Sequence, residues 1–402
     1  MSRKHNRMTR CWLSETHIAV SPFGLVRPCC RFHTDDNYPL NISGKTIKNV
    51  FEDDFLQNVR KDLKAGVKHK GCNKCWYHES KEITSMRQQY NYARDFSILD
   101  NLNTYEKIHS LEISFSNHCN YRCRHCSSFF SSKWREDDLL LGNRVPDTLL
   151  EPNLDDLEIH KLVNLEHIKM LGGEPLLSKN HSKLIKSIEH NIHNIELEYV
   201  TNGSLWPSND IVEIWKRAKS LRLIISLDDV YEYFEYFRTD SSFSTVESTF
   251  EKIETLRTVL GDRLQTNIHC VINVLNMYRV NHIVEYMIEK LPEWNFTFDN
   301  IAQPEYLHIK QWSKTEAKKQ VKKLENIDAK IPDNSRVNNH KKRNIKKAIK
   351  IIKDSCKNDT NDFSKLLKTN TILDKSRKTD LEKTHPYIAS ISGLKNSLQP
   401  FS

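Results

Sequence analysis

Three cysteines in one short segment, Cys119-Asn-Tyr-Arg-Cys123-Arg-His-Cys126, constrain this chain more than any other feature. They follow an apolar, partly β-branched run at 110–115, so the loop that carries them leaves the end of a strand. Three thiolates this close together suit three irons of a cubane [4Fe–4S] cluster. The fourth iron is then left without a protein ligand and open to a small molecule. A zinc site is the competing reading, although zinc prefers a closed shell of four ligands.

The surrounding chain is globular but lean. Hydrophobic residues make up 38% and charged residues 28% of the 402, enough for an enzyme domain with one or two smaller modules. No apolar run reaches the roughly 18 residues of a membrane span. Met1-Ser2-Arg3-Lys4-His5-Asn6-Arg7 is basic but no apolar stretch follows it. The expectation is a cytoplasmic chain without a signal peptide, in which clustered cysteines ligate metal rather than form disulfides. The net charge of +9 is uneven. Residues 306–402 hold 23 Lys and Arg against 10 Asp and Glu, and the remainder 38 against 42. Glycine is scarce, at 10 residues where average usage gives about 28, so the positions of Gly172, Gly173, Gly203 and Gly24 are informative.

From residue 108 strands and helices alternate. Strands are expected at 110–115, 168–171, 195–201, 221–227, 267–274 and 295–301, and helices at 182–189, 210–218, 246–260 and 280–289. This rhythm gives an α/β fold. Six strands suit an open, partial (β/α)6 TIM-like barrel better than a closed eight-stranded one, with reactive loops at the C-terminal strand ends. The expected organisation is a small Cys-rich N-terminal module over 1–80, a connector over 81–107 with a helix at 81–94, the barrel over 108–305, and a basic helical tail over 306–402. In the tail, 313–327 and 340–354 have helical periodicity, and the polar stretch after 357 reads as partly disordered.

Cys119-x3-Cys123-x2-Cys126 after a first strand resembles the signature of the radical S-adenosylmethionine (SAM) superfamily. Further marks resemble it in order across roughly residues 108–301. Gly172-Gly173-Glu174-Pro175 follows the second strand, Thr201-Asn202-Gly203 the third, and Ser226-Leu227-Asp228 ends the fourth, with Arg238 twelve residues beyond Ser226. The resemblance implies a [4Fe–4S] cluster on Cys119, Cys123 and Cys126, with SAM chelating the open iron through its amino and carboxylate groups. An electron from a flavodoxin- or ferredoxin-like donor would cleave SAM to a 5′-deoxyadenosyl radical, which takes a hydrogen atom from the substrate. The resemblance also implies that Gly172 and Gly173 line the methionine moiety and that Glu174 accepts from its ammonium. Ser226 and Arg238 would hold the carboxylate, and Asn202 would make a further polar contact. The residue before the third cysteine is usually a planar aromatic near adenine; here it is His125. By family analogy the substrate is a peptide or protein side chain, or a small molecule.

Cys11, Cys29, Cys30, Cys72 and Cys75 form a second group, with a C-x2-C knuckle at Cys72-Asn-Lys-Cys75 and the spacing Gly24-x4-Cys29. It resembles the start of SPASM and twitch auxiliary-cluster modules, placed before the barrel rather than after it. The resemblance implies that Cys11, Cys29, Cys72 and Cys75 hold an auxiliary [4Fe–4S] cluster that relays electrons, with Cys30 an alternative to Cys29. By spacing alone, four thiolates fit structural zinc as well. Lys318, Lys319, Lys322, Lys323, Lys341, Lys342, Arg343, Lys346 and Lys347 crowd two tail helices, as a solvated face or as a nucleic-acid surface. Two further readings therefore stand beside the leading one. One is radical modification of RNA or a nucleotide; the other is a zinc-binding, non-catalytic interaction protein.

Overall fold

The structure is a computed structural model that describes residues 9–35 and 38–392; the basic segment 1–7 and the last ten residues of the tail lie outside them. Its strands are β1 (His17–Val20), β2 (Val26–Arg27), β3 (Ser110–Ser114), β4 (Arg122–Cys123), β5 (His167–Leu171), β6 (Glu196–Thr201), β7 (Ser220–Ser226), β8 (Arg238–Thr239), β9 (Leu264–Ile272) and β10 (Asn295–Asn300). Eight of them form one mostly parallel sheet in the order β10-β9-β7-β6-β5-β3-β1-β2, and β4 pairs with β8 separately. From β3 to β10 each sheet strand lies beside the previous one. That monotonic order is the winding of a partial barrel, since a doubly wound sheet reverses direction at a switch point. All six expected strands are present, each within three residues of its expected ends.

By compactness the chain divides into two units. One comprises Met1–His118, Thr148–Tyr199 and Pro207–Leu221; the other comprises Cys119–Asp147, Val200–Trp206 and Arg222–Ser402.

In the first unit, β3 and β5 pair in parallel with Leu111 opposite Ile168 and Ile113 opposite Met170. These residues are buried on the helix side of the sheet. Tyr199 of β6 shows what covers that side: its hydroxyl meets His181 Nε2 at 2.8 Å and accepts from Trp215 Nε1 at 2.9 Å. Those partners lie on the helices Lys179–Ser187 and Asn209–Arg217. Residues before the barrel contribute more than a loop-rich module. β1 is buried along its length and pairs in parallel with β3, His17 opposite Ser110. The four-residue run His17-Ile18-Ala19-Val20 is too short for its period to be read in the sequence. The expected helix at 81–94 is shorter, Met86–Asn91, entered through a capping box between Ser85 and Gln88.

In the second unit, β9 and β10 pair in parallel from Asn267 opposite Asn295 to Ile272 opposite Asn300. The tail that follows is mostly helical over its described length. Ser313 caps the helix Lys314–Lys330 and Ser335 caps Arg336–Ser355. Beyond 357, where the sequence reads as partly disordered, the chain forms the helices Ser364–Arg377, Leu381–Thr384 and Pro386–Ile391. The reason is a stripe of apolar residues among the charges. Ile345, Ala348, Ile349 and Ile352 recur at helical spacing and are buried, as are Leu366 and Leu373. The basic face is also partly neutralised: Lys342 pairs with Asp333 and Lys347 with Asp299, each at 2.7 Å, and Lys319 with Glu316 at 2.6 Å. Lys341 is buried, donating to the Pro292 carbonyl. No helix among the described residues is long and apolar enough to cross a membrane.

If the tail is core rather than appendage, Ile345→Ala lowers the unfolding free energy by about 2–5 kcal/mol. Exposed Lys346→Ala changes it by no more than about 0.5 kcal/mol. Chemical denaturation of both variants checks this, and similar losses at the two positions would contradict it.

Candidate active site

The cysteine loop is a buried, over-determined piece of backbone. Cys119 and Cys123 are buried and Cys126 is half-buried, and none of the three is in a disulfide. Burial pushes the Cys126 thiol up, and the neighbouring Cys123 and Cys119 sulfurs push it further. Burial also raises Cys123, against the pull of the Arg238 guanidinium. Such thiols stay protonated in water and become thiolates when a metal displaces their protons. A lone pair of buried cysteines needs no partner, but three thiols close enough for Cys123 and Cys119 to act on Cys126 are a donor set for a metal cluster.

Arg238 lies at the centre of this pocket. It pairs with Asp228 at 2.5 Å and points Nη1 at Cys123 Sγ, 3.4 Å away. Burial works to raise the Asp228 carboxyl, but Arg238 and His125 outweigh it and hold it below its ordinary value. Asp228 Oδ1 also accepts from the Val271 amide at 2.9 Å, so β9 anchors the pair. His125 stacks on Phe237 with ring centroids 5.3 Å apart. Burial lowers its pKa to about 4, which keeps the ring neutral at physiological pH. Buried His125 Nδ1 and Arg238 Nε have no hydrogen-bond partner among the described residues. Natural proteins seldom leave such atoms unmet, and a polar ligand beside the cysteines would satisfy them. The residues present therefore fit a cluster with a polar co-ligand.

The other expected positions are placed as follows. Asn202 forms an Asx turn onto Ser204, and its Nδ2 bonds Asn120 at 2.9 Å and lies 3.9 Å from Cys119 Sγ. Ser226 is the last residue of β7 and is half-buried. Gly172 and Gly173 are required by close backbone approach. A Cβ on Gly173 would sit 2.2 Å from the His118 carbonyl oxygen; one on Gly172, at φ +142°, would sit 2.8 Å from that of Ser116. The Gly173 amide donates to the Ser116 carbonyl at 2.7 Å and the Glu174 amide to the His118 carbonyl at 2.8 Å, which fixes the chain just before Cys119. Glu174 is buried, and its Oε1 accepts from the Leu176 amide at 3.2 Å.

The N-terminal cysteines also gather. Cys11, Cys29, Cys72 and Cys75 line one small cavity with Leu13, Phe32 and Met86. Burial raises the Cys11 thiol to about 11 and, with Cys11 and Cys75, the Cys72 thiol to about 12. Cys30 faces elsewhere, toward Glu112 and Lys169.

Sequence reasoning missed the residues that hold the loop: Ser131, Trp134, Asp137, Tyr306, Asp374 and Arg377. The Arg377–Asp137 pair spans 240 positions, and no local pattern in the chain announces such a partner.

Comparison with known proteins agrees with the geometry. Residues 113–287 match the sequence profile of the Radical SAM superfamily. GTP 3′,8-cyclase of Campylobacter jejuni is 34% identical over 122 residues, 30% of this chain and 35% of that protein. The radical SAM cyclopropyl synthase TigE of Paramaledivibacter caminithermalis is 24% identical over 193 residues, 45% and 38% of the two chains. Streptococcus suis SuiB bound to precursor peptide SuiA is 14% identical, with a TM-score of 0.38 over 80% of this chain and 70% of that one. The chain thus spans little more than a third of the length of these two curated relatives. A superfamily defined by a [4Fe–4S] cluster and SAM, a matching span that contains all three cysteines of the loop, and a buried thiol pocket lead to one statement: residues 113–287 are a domain of the radical SAM superfamily.

Proposed function

We propose that the chain is a radical SAM enzyme acting on a peptide or protein side chain. The observation that carries this reading is the convergence of Cys119, Cys123 and Cys126 with unmet polar atoms of His125 and Arg238 beside them. A cluster and SAM, when bound, supply one-electron cleavage of the sulfonium and a 5′-deoxyadenosyl radical that removes a hydrogen atom from the substrate. The chain's own residues bind and orient. Arg238, kept charged by Asp228, would grip the SAM carboxylate through its Nε edge, assisted by Ser226. Glu174 would accept from the ammonium, where Gly172 and Gly173 allow the backbone to come close. The neutral His125 ring, stacked on Phe237, would offer a flat surface for adenine, and Asn202 a polar contact. A flavodoxin- or ferredoxin-like protein would supply the electron.

For the substrate, the sheet face turned away from the helices supports a peptide over a nucleotide. On that face of the first unit, Lys169 sits 3.9 Å from Glu112 and 3.5 Å from Glu198. His167, Glu196 and Glu198 also lie together there. Arg27 lies in register on the same face, so the wall sets Lys169 and Arg27 against Glu112, Glu196 and Glu198, an acidic balance that disfavours polyphosphate. The nucleotide reading, favoured by the name of the Campylobacter relative, is the second choice. For the N-terminal cavity we propose an auxiliary [4Fe–4S] cluster on Cys11, Cys29, Cys72 and Cys75, with structural zinc the alternative.

Anaerobically reconstituted protein, given SAM and a strong one-electron reductant, is expected to release 5′-deoxyadenosine. Cys123→Ala reduces this to background, and Arg238→Gln lowers it by about tenfold or more through a raised SAM KM. Product that survives Cys123→Ala would sink the reading, and a wild-type protein that holds zinc and releases no product would favour a zinc-binding interaction protein.

Metal analysis tests the second site. About eight irons per chain are expected, about four after Cys11/Cys29/Cys72/Cys75→Ala, and no change after Cys30→Ala. Zinc in place of the missing four irons would identify a structural knuckle.

A further inference from the structure

Four consecutive carbonyls around the middle cysteine are each met by a side-chain donor. Tyr121 accepts from Ser131 Oγ, Arg122 from Arg377 Nη1 and Cys123 from Trp134 Nε1, each at 2.7 Å. The Arg124 carbonyl accepts from the Tyr306 hydroxyl. Two of these donors, Tyr306 and Arg377, belong to the tail that the sequence presents as an appendage.

Arg377 is itself held rigidly. Its Nε and Nη2 donate to Asp137 Oδ2 at 3.1 and 2.9 Å. Both side chains are fully buried, at 0% exposure. Ser376 Oγ donates to the other Asp137 oxygen at 2.8 Å, and the guanidinium lies over the Trp134 ring at 4.5 Å. Arg377 is thus bound to the same tryptophan that holds the Cys123 carbonyl. The Arg124 side chain reaches the opposite way into the same tail helix, Ser364–Arg377. It donates to Asp374 at 2.5 Å and Asn370 at 3.0 Å, with Thr379 just beyond at 2.8 Å. Both neighbours of Cys123 are therefore gripped by one helix.

A carbonyl held by a donor cannot rotate its peptide plane, so the direction of the Cys123 Cα–Cβ bond is fixed with it. Backbone orientation, buried charge and hydrogen bonding near the sulfurs set the reduction potential of an iron–sulfur cluster. We propose that Arg377, acting through Asp137 and the Arg122 carbonyl, and Tyr306, acting through the Arg124 carbonyl, are positioning residues for the cluster. The helix Ser364–Arg377 is then part of the cluster site. This rests on the reading of Cys119, Cys123 and Cys126 as cluster ligands.

The test uses full-length Arg377→Lys, which keeps the charge opposite Asp137 but loses the forked reach to the Arg122 carbonyl. Iron content, midpoint potential and the EPR spectrum with and without SAM are measured beside wild type. The expected result is wild-type iron, a midpoint shifted by about 59 mV, a tenfold change in the one-electron equilibrium, and a weakened spectral response to SAM. Tyr306→Phe removes one hydroxyl and no charge, and shifts the potential in the same direction by less. It decides the matter if Arg377→Lys fails to fold. Folded, iron-loaded variants with wild-type potential and SAM response would reduce the tail to a scaffold and overturn the proposal. Wild-type protein that takes up no iron would instead overturn the underlying cluster reading.

Discussion

Everything near the centre of this protein depends on keeping several thiols out of water within one short loop. Burial alone makes those thiols reluctant to ionise, as the raised Cys123 and Cys126 show. An empty loop of this kind would relax by turning its sulfurs toward solvent or each other. It is prevented from doing so by donors on successive carbonyls and by the short β4–β8 pairing of Arg122 with Thr239 and Cys123 with Arg238. These bonds hold the backbone of the loop in one arrangement, which is what a cluster with one iron left open requires.

The charged groups nearby follow the same logic. Isolated buried charges are costly, and those around this loop occur in opposed pairs: Arg238 with Asp228, Arg377 with Asp137, Arg124 with Asp374. Each arginine keeps an arm beyond its carboxylate partner: Arg238 toward Cys123 Sγ, Arg377 to a loop carbonyl, Arg124 to Asn370. The pairs neutralise and the spare arms orient.

Much of this was legible in the chain. The six barrel strands declared themselves because each is an apolar run of suitable length bounded by polar turns, and the cysteine loop falls at the strand end where such folds place reactive groups. Gly172 and Gly173 stood out in a glycine-poor chain, and both prove to be sites where a side chain has no room. Other features were not readable, for identifiable reasons. β1 is too short to show a period. The helix Ser364–Arg377 carries its burial on few residues, Leu366, Asn370, Leu373 and Arg377, among many polar ones; two of the four are themselves polar, so composition suggests disorder. Arg377 counted toward a basic tail, because nothing within 200 positions of it reveals Asp137. Whether Cys29 or Cys30 joins the N-terminal group was undecidable by spacing. Adjacent residues on an irregular loop point in different directions, and here Cys29 enters the cavity while Cys30 faces Glu112.

The most direct test of the central claim is the EPR spectrum of the reduced, reconstituted protein before and after SAM, with Cys11/Cys29/Cys72/Cys75→Ala to remove signals from the N-terminal site. A cluster on Cys119, Cys123 and Cys126 with an open iron gives a [4Fe–4S]+ signal whose g-values move when SAM binds. A signal indifferent to SAM, or none at all in folded protein, would contradict the account.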